Sequence, residues 1–193
     1  ADGTETILAG DLGGTKTLLA LYHAKGGRFA LLRDATYPSR GHQAFEEILD
    51  AFLAGGAREP IDAACFDVAG PVVEGRVRTT NLPWLLDERA LATKLGTPRV
   101  KLLNDLEATA YGMLHLPAAD LACLHPGASP ARPGHIAVIA AGTGLGEAYL
   151  FWDGKAHHPV ASEGGHADFA PRTDVEIGLL RWLRQKVGGH VSY

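Results

Sequence analysis

Residues 7–22 read Ile7-Leu8-Ala9-Gly10-Asp11-Leu12-Gly13-Gly14-Thr15-Lys16-Thr17-Leu18-Leu19-Ala20-Leu21-Tyr22. Two short apolar runs flank a glycine-rich turn, which predicts two strands joined tightly. Glycines allow positive φ and let a backbone come close to a ligand. Successive N–H groups in such a turn can form a nest for phosphate oxygens. Thr15 adds a hydroxyl donor and Lys16 a positive charge. Asp11 could hold Mg²⁺ through water, because that ion keeps part of its hydration shell. An ordinary hairpin turn with a solvated Asp and Lys accounts for the same residues equally well.

The arrangement recurs further on. Residues 136–140 and 148–152 predict strands around Gly142-Thr143-Gly144-Leu145-Gly146. Neither turn has the G-x-x-x-x-G-K-[ST] of a P-loop. The second is also spaced wrongly for the dinucleotide fingerprint G-x-G-x-x-G, and it leads into a strand-forming run rather than a helix. Both glycine loops therefore lie between strands. Each could offer free N–H groups from one side of a cleft.

Working outward, residues 29–37 predict a third strand. Phe45, Ile48, Leu49 and Phe52 recur at helical spacing, with Gly55-Gly56 as the stop. Strands are predicted at 63–68, 76–80 and 100–103, and helices at 87–95 and 106–114. Residues 117–134 are rich in Pro, Gly and Ala and predict a loop. Thr173-Asp174-Val175-Glu176 has the form of a capping box. The helix it opens carries Leu179, Leu180, Leu183 and Val187 on one side and ends near Gly188-Gly189. Strands mixed with helices give an α/β class.

With 46% hydrophobic residues in 193, the chain can bury a sizeable core. A net charge of −4 without a basic stripe argues against nucleic acid as a partner. An acidic chain that binds an anionic nucleotide must gather positive charge locally. No run approaches the roughly 20 apolar residues of a membrane span. The start Ala1-Asp2-Gly3-Thr4 has neither the basic nor the apolar region of a signal peptide, so a cytoplasmic location is expected. It also lacks an initiator Met, which is read as trimming. Cys65 and Cys123 are expected to be reduced core thiols.

Three further stretches carry chemistry. Asn104-Asp105 follows an apolar run. A carboxylate at a strand mouth can accept a proton from an attacking hydroxyl, and the neighbouring amide can orient the same substrate. A helix N-cap for the segment from Leu106 explains the pair as well. In Glu163-Gly164-Gly165-His166-Ala167-Asp168-Phe169, two glycines let a carboxylate and an imidazole face one point, which suits a polyhydroxyl ligand. A metal site from Glu163, His166, Asp168, His157 and His158 is the rival, but the spacing matches no standard zinc pattern. In Thr79-Thr80-Asn81-Leu82-Pro83-Trp84, Asn81 could reach a ligand, and Trp84 reads as packing.

These pieces, in this order, resemble the bacterial glucokinase family of the sugar kinase–actin–hsp70 superfamily. The resemblance rests on Gly10-Asp11-Leu12-Gly13-Gly14-Thr15, Ala69-Gly70-Pro71, Thr80-Asn81-Leu82-Pro83-Trp84, Leu103-Asn104-Asp105, Ala141-Gly142-Thr143-Gly144-Leu145-Gly146 and Ser162-Glu163-Gly164-Gly165-His166-Ala167-Asp168-Phe169-Ala170-Pro171. It spans essentially the whole chain. It implies ATP-dependent phosphorylation of glucose at the 6-hydroxyl, the first step of glycolysis. By carry-over, Asp105 is the general base, and Asn104, Asp105, Glu163, His166 and Asn81 contact the sugar. Gly10, Asp11, Leu12, Gly13, Gly14, Thr15 and Lys16 form the first phosphate site, and Gly142, Thr143 and Gly144 the second. Asp11 lies near Mg²⁺.

The fold implied is a ribonuclease-H-like, actin/hexokinase-type pair of α/β lobes around a cleft. Residues 1–115 form the small lobe and 116–193 the start of the large one. Family members continue with another sugar-binding Glu, an adenosine-binding segment and a returning helix, so the second lobe is expected to be incomplete and this stretch alone weakly active or inactive. A homodimer is common in the family. A non-catalytic sugar sensor of the same fold is the alternative. The sister family of sugar kinases and repressors shares the Asp-x-Gly-Gly-Thr-Lys start, but its cysteine-rich zinc motif is missing after Cys123.

Overall fold

The computed structural model describes residues 3–56, 59–79, 82–127, 133–142 and 144–192. They divide into two compact units, residues 1–105 and 106–193. In chain order the first unit runs β1 (Glu5–Leu12), β2 (Lys16–Lys25), β3 (Arg28–Pro38), α1 (Phe45–Ala54), β4 (Ala63–Val68), β5 (Arg76–Arg78), β6 (Leu85–Asp87), α2 (Glu88–Leu95) and β7 (Val100–Asn104). Five strands form one sheet in the order β3-β2-β1-β4-β7. β1, β2 and β3 pair antiparallel, whereas β4 runs parallel to both β1 and β7. This is the ribonuclease-H-like α/β arrangement that the sequence implied.

Strand alternation builds the core. β1 turns Leu8 and Leu12 inward, and β4 turns Ala64, Phe66 and Val68 inward. Phe45, Ile48, Leu49 and Phe52 of α1 are fully buried in the same cluster. Trp84 joins them at 1% exposure, its ring 6.0 Å from that of Phe45 and its indole N–H donating to the His42 carbonyl at 3.0 Å. Burying each such side chain contributes on the order of 2 kcal/mol. Trp84 is thus a packing residue, as its sequence suggested. Asp87 caps α2 by accepting from the N–H groups of Arg89 and Ala90, and Gly96 ends it in the left-handed region at φ 72°.

The second unit contains most of α3 (Asp105–Met113), then β8 (Ile136–Ala141), β9 (Leu145–Trp152), β10 (His157–Ser162) and α4 (Asp174–Val187). The three strands form an antiparallel sheet in the order β10-β9-β8. Ala110 of α3 packs with Val138, Ala148 and Leu150 of that sheet, together with Leu106, Met113 and Leu114. These contacts explain why the border between the units falls after Asp105, whereas the sequence suggested 115. The capping box of α4 is formed: Glu176 N–H donates to the Thr173 hydroxyl, and the Thr173 N–H donates to the Glu176 carboxylate.

Other expectations change. None of the α4 side chains is buried, and Leu179 and Val187 are exposed, so the predicted stripe is not a core face among the described residues. β6 and β10 went unpredicted, being short or interrupted by polar residues. Burial, then the nearby Asp67 charge, pushes the Cys65 thiol up to about 11, as suits an inert thiol. Cys123, in contrast, lies exposed beyond the turn at Ala118–Asp120 and is not a core thiol. Among the described residues, no helix is long and apolar enough to cross a membrane.

Candidate active site

β1 and β2 form the hairpin expected around the first glycine loop, with Leu12 paired to Thr17. Gly10, Asp11 and Leu12 end β1, and Lys16 begins β2. The Leu12 side chain is 2% exposed and belongs to the core, so only its main chain can face a ligand. Asp11, Thr15 and Lys16 are exposed. None of Gly10, Gly13 and Gly14 has positive φ. Gly13 is needed for another reason: a Cβ there would stand 2.9 Å from the Lys16 carbonyl oxygen. The close approach of two backbone segments, rather than a left-handed turn, sets the residue choice.

Ser39, just beyond β3, braces this loop and was not foreseen. Its hydroxyl donates to the Gly13 carbonyl at 2.6 Å, and its N–H donates to the Thr15 carbonyl at 2.9 Å. Having given its only hydroxyl proton to Gly13, Ser39 accepts from the Thr17 hydroxyl at 2.9 Å. Ser39 and Thr17 are both fully buried. The loop carbonyls are thereby tied inward, while among the described residues none accepts from the N–H groups of Gly13, Gly14 and Thr15. That polarity suits an anion. Nothing local in the sequence could reveal a brace 26 residues from Gly13.

The parallel strands carry the rest of the first unit's site to the same sheet end. Asp11 on β1 pairs with Asp67 on β4, and Asp67 pairs with Leu103 on β7, two residues before Asp105. In open α/β sheets ligands bind outside the carboxyl ends of such strands. The Asn104 amide donates to the Gly70 carbonyl at 3.2 Å, and Gly70 stands at φ 138°. This gives the Ala69-Gly70-Pro71 stretch a role, since a residue with a Cβ rarely takes that φ. Helix α3 begins at Asp105 itself, so the carboxylate sits at the helix N-terminus. The helix thus opens one residue before the Leu106 start that the sequence suggested, and Asp105 stands inside its first turn rather than capping it.

Asp67 is the residue the sequence reading passed over. Its signal was a single carboxylate inside the apolar run 63–68. Burial, then the charges of Asp11 and Asp105, push its carboxyl from 3.8 up to about 7. Three carboxylates thus face one region of the first unit, one of them largely withdrawn from water.

In the second unit, β8 and β9 form the other glycine hairpin, with Ala141 paired to Leu145. The Gly142 N–H donates to the Gly144 carbonyl at 2.9 Å, which holds the turn rather than facing a ligand. Thr143 and Asn81 lie outside the described residues. Glu163 precedes and His166 ends a short 3-10 turn, Gly164–His166, and both are exposed. Gly165 is buried against the Leu145 carbonyl, where a Cβ would collide with backbone. The loop that carries Glu163 and His166 is therefore in direct backbone contact with the start of β9, next to the second glycine turn. The rival metal reading finds no support in geometry: His157 bonds the Gly134 carbonyl and His158 the Asp153 carboxylate. Among the described residues no three His, Cys, Asp or Glu side chains are grouped to hold a metal ion.

The fold agrees with that of known proteins. The glucokinase family model matches residues 8–193. The chain is 41% identical over 182 residues to a glucokinase of Nostoc punctiforme, covering 93% of this chain and 53% of that protein. It is 35% identical over 190 residues to a glucokinase of Yersinia pestis, covering 98% and 57%. A crystal structure of a glucokinase from an Antarctic psychrotroph superposes with a TM-score of 0.81 at 30% identity, covering 97% of this chain and 59% of that one. A glucokinase of Balamuthia mandrillaris in complex with glucose shares the fold, with a TM-score of 0.72 at 23% identity and coverage of 99% and 59%. The chain spans about half the length of the curated relatives it matches. Strand order, the paired glycine hairpins and the family match over residues 8–193 agree, and the chain belongs to the glucokinase family.

Proposed function

We propose that the protein containing this chain is a hexose kinase that transfers the γ-phosphoryl group of ATP to the 6-hydroxyl of glucose. The observation that carries the reading is the parallel register of β1, β4 and β7. It supports a single reaction centre for the first glycine loop and Asp105 at one end of one sheet. Asp105 accepts the proton of the 6-hydroxyl as the oxygen attacks phosphorus. Asn104, oriented by Gly70, with Glu163, His166 and Asn81, binds sugar hydroxyls. The N–H groups of Gly13, Gly14 and Thr15, with Lys16, hold phosphate oxygens, and the Gly142–Gly144 loop supplies the second contact. Asp11, an exposed carboxylate beside the first glycine loop, fits a water-mediated magnesium ligand, and magnesium, when bound, would neutralise phosphate charge. The same reading expects a cytoplasmic enzyme, where ATP is supplied, and a homodimer.

The test is ADP release by the full-length protein with Mg-ATP and a panel of hexoses, beside Asp105→Asn. Glucose-dependent turnover that falls by about 10²–10⁴-fold in the variant is expected, the usual worth of a general base. Glucose binding without turnover in the wild-type protein would instead establish a sugar sensor. Turnover unaffected by Asp105→Asn would remove the assigned base.

A further inference from the structure

The residues after α4 fold back onto the loop that carries Glu163 and His166. The Phe169 N–H donates to the Val191 carbonyl at 2.8 Å, and Asp168 and Ser192 face each other in an antiparallel bridge. This pairing brings His190 against His166, with ring centroids 4.7 Å apart and planes inclined by 55°. His190 then touches two acceptors. Its Nδ1 lies 2.8 Å from Asp168 Oδ1, and its Nε2 lies 2.8 Å from the His166 main-chain oxygen. Ser192 Oγ stands 3.5 Å from His166 Nδ1.

A carboxylate and a carbonyl can only accept. A neutral imidazole has one N–H, so it donates to one of the two, and both contacts form at once only on a ring with a proton on each nitrogen. The partners matter as much as the count. One contact grips the side chain of Asp168 and the other grips the backbone of His166 itself, so the His190 ring spans the loop. Gly165, wedged against Leu145, fixes the other side of the same turn. His166 is therefore held between a strand on one side and an imidazole on the other.

We propose that His190 is a positioning residue for sugar recognition: by donating to Asp168 and to the His166 carbonyl, it holds the 163–168 loop in the conformation in which His166 meets a sugar hydroxyl. The inference rests on the sugar-kinase reading above. His190 itself does not touch the sugar. It acts on ground-state binding of glucose and leaves the phosphate sites alone.

The test compares glucose KM, ATP KM, kcat and thermal stability of the full-length protein with those of His190→Ala, His190→Gln, His190→Arg and Asp168→Asn. His190→Ala should raise glucose KM by about tenfold, equivalent to about 1.4 kcal/mol, with kcat and ATP KM within about twofold of wild type. Arginine supplies several permanently charged donors, so His190→Arg should recover most of the loss. His190→Gln, with donors but no charge, should fall between, and Asp168→Asn should resemble it. An unchanged glucose KM in His190→Ala overturns the proposal. So does an arginine variant as impaired as alanine, or a parallel loss of ATP affinity and stability. Should His190→Ala not fold, His190→Gln and Asp168→Asn carry the same comparison. A wild-type protein that neither binds nor phosphorylates any hexose overturns the functional reading and this inference together, whereas an active wild type with an unaffected His190→Ala overturns this inference alone.

Discussion

Replacing Asp67 by Asn should make the protein more stable at alkaline pH and change little at acid pH. The native carboxyl titrates at about 7 because it is withdrawn from water and then faces Asp11 and Asp105. Unfolded, it titrates near 3.8. Between those values the native state binds more protons than the unfolded state, so stability falls as pH rises. The contribution is fully present below 3.8 and is lost as pH rises through about 7. Each tenfold difference in proton affinity is worth about 1.4 kcal/mol, so the full span is on the order of 4 kcal/mol. Residual exposure and water penetration reduce this to roughly 2–4 kcal/mol. Asn is close in shape to a protonated Asp and carries no charge at any pH. Urea denaturation without magnesium or nucleotide should therefore show the two proteins nearly equal below pH 3.8, with the gap opening as pH rises towards about 7. Asp67→Asn should lead by roughly 2–4 kcal/mol at pH 9. An NMR titration of the Asp67 carboxyl carbon gives the midpoint directly. Identical pH dependence in both proteins, or a midpoint near 4, would refute the argument that burial and two neighbouring carboxylates govern this residue.

Two further outcomes follow from the braces described above. Ser39→Ala leaves the Gly13 carbonyl and the Thr17 hydroxyl short of a buried partner. It should cost about 1–2 kcal/mol and raise ATP KM several-fold with glucose KM unchanged, and a rise in glucose KM alone would contradict it. Gly165→Ala forces a methyl group against the Leu145 carbonyl, a backbone atom that cannot rotate away. Destabilisation at the upper end of about 1–3 kcal/mol, with loss of glucose binding, is expected in thermal unfolding and calorimetry. A stable variant that still binds glucose would mean that the turn can shift freely.

Much of the fold is legible in the sequence alone. Gly10 to Lys16 between apolar runs could only be a tight strand connection, because Gly13-Gly14 breaks both helix and strand periodicity. Phe45, Ile48, Leu49 and Phe52 marked their helix by spacing, and Thr173 with Glu176 marked another by capping chemistry. Among the candidate site residues, Asp105 stood out because it follows an apolar run, and Glu163 and His166 because two glycines separate them. These signals are local: each is complete within a few residues, which is why a linear reading finds them.

Tertiary structure decided what no local window contains. Asp67 became a group poised near neutrality only when parallel pairing set it beside Asp11 and near Asp105, since a carboxylate's charge is expensive only where water is excluded and like charges are close. Ser39 became the brace of the first glycine loop through contacts spanning up to 26 residues. Gly13 proved necessary for a carbonyl that approaches it, not for its own φ. The border between the units moved to 105 because the apolar face of α3 is buried with β8 and β9. Sequence by itself determined which elements form and which chemical groups they carry. Only the fold determined which of those groups meet, because pairing register and burial are properties of segments far apart in the chain.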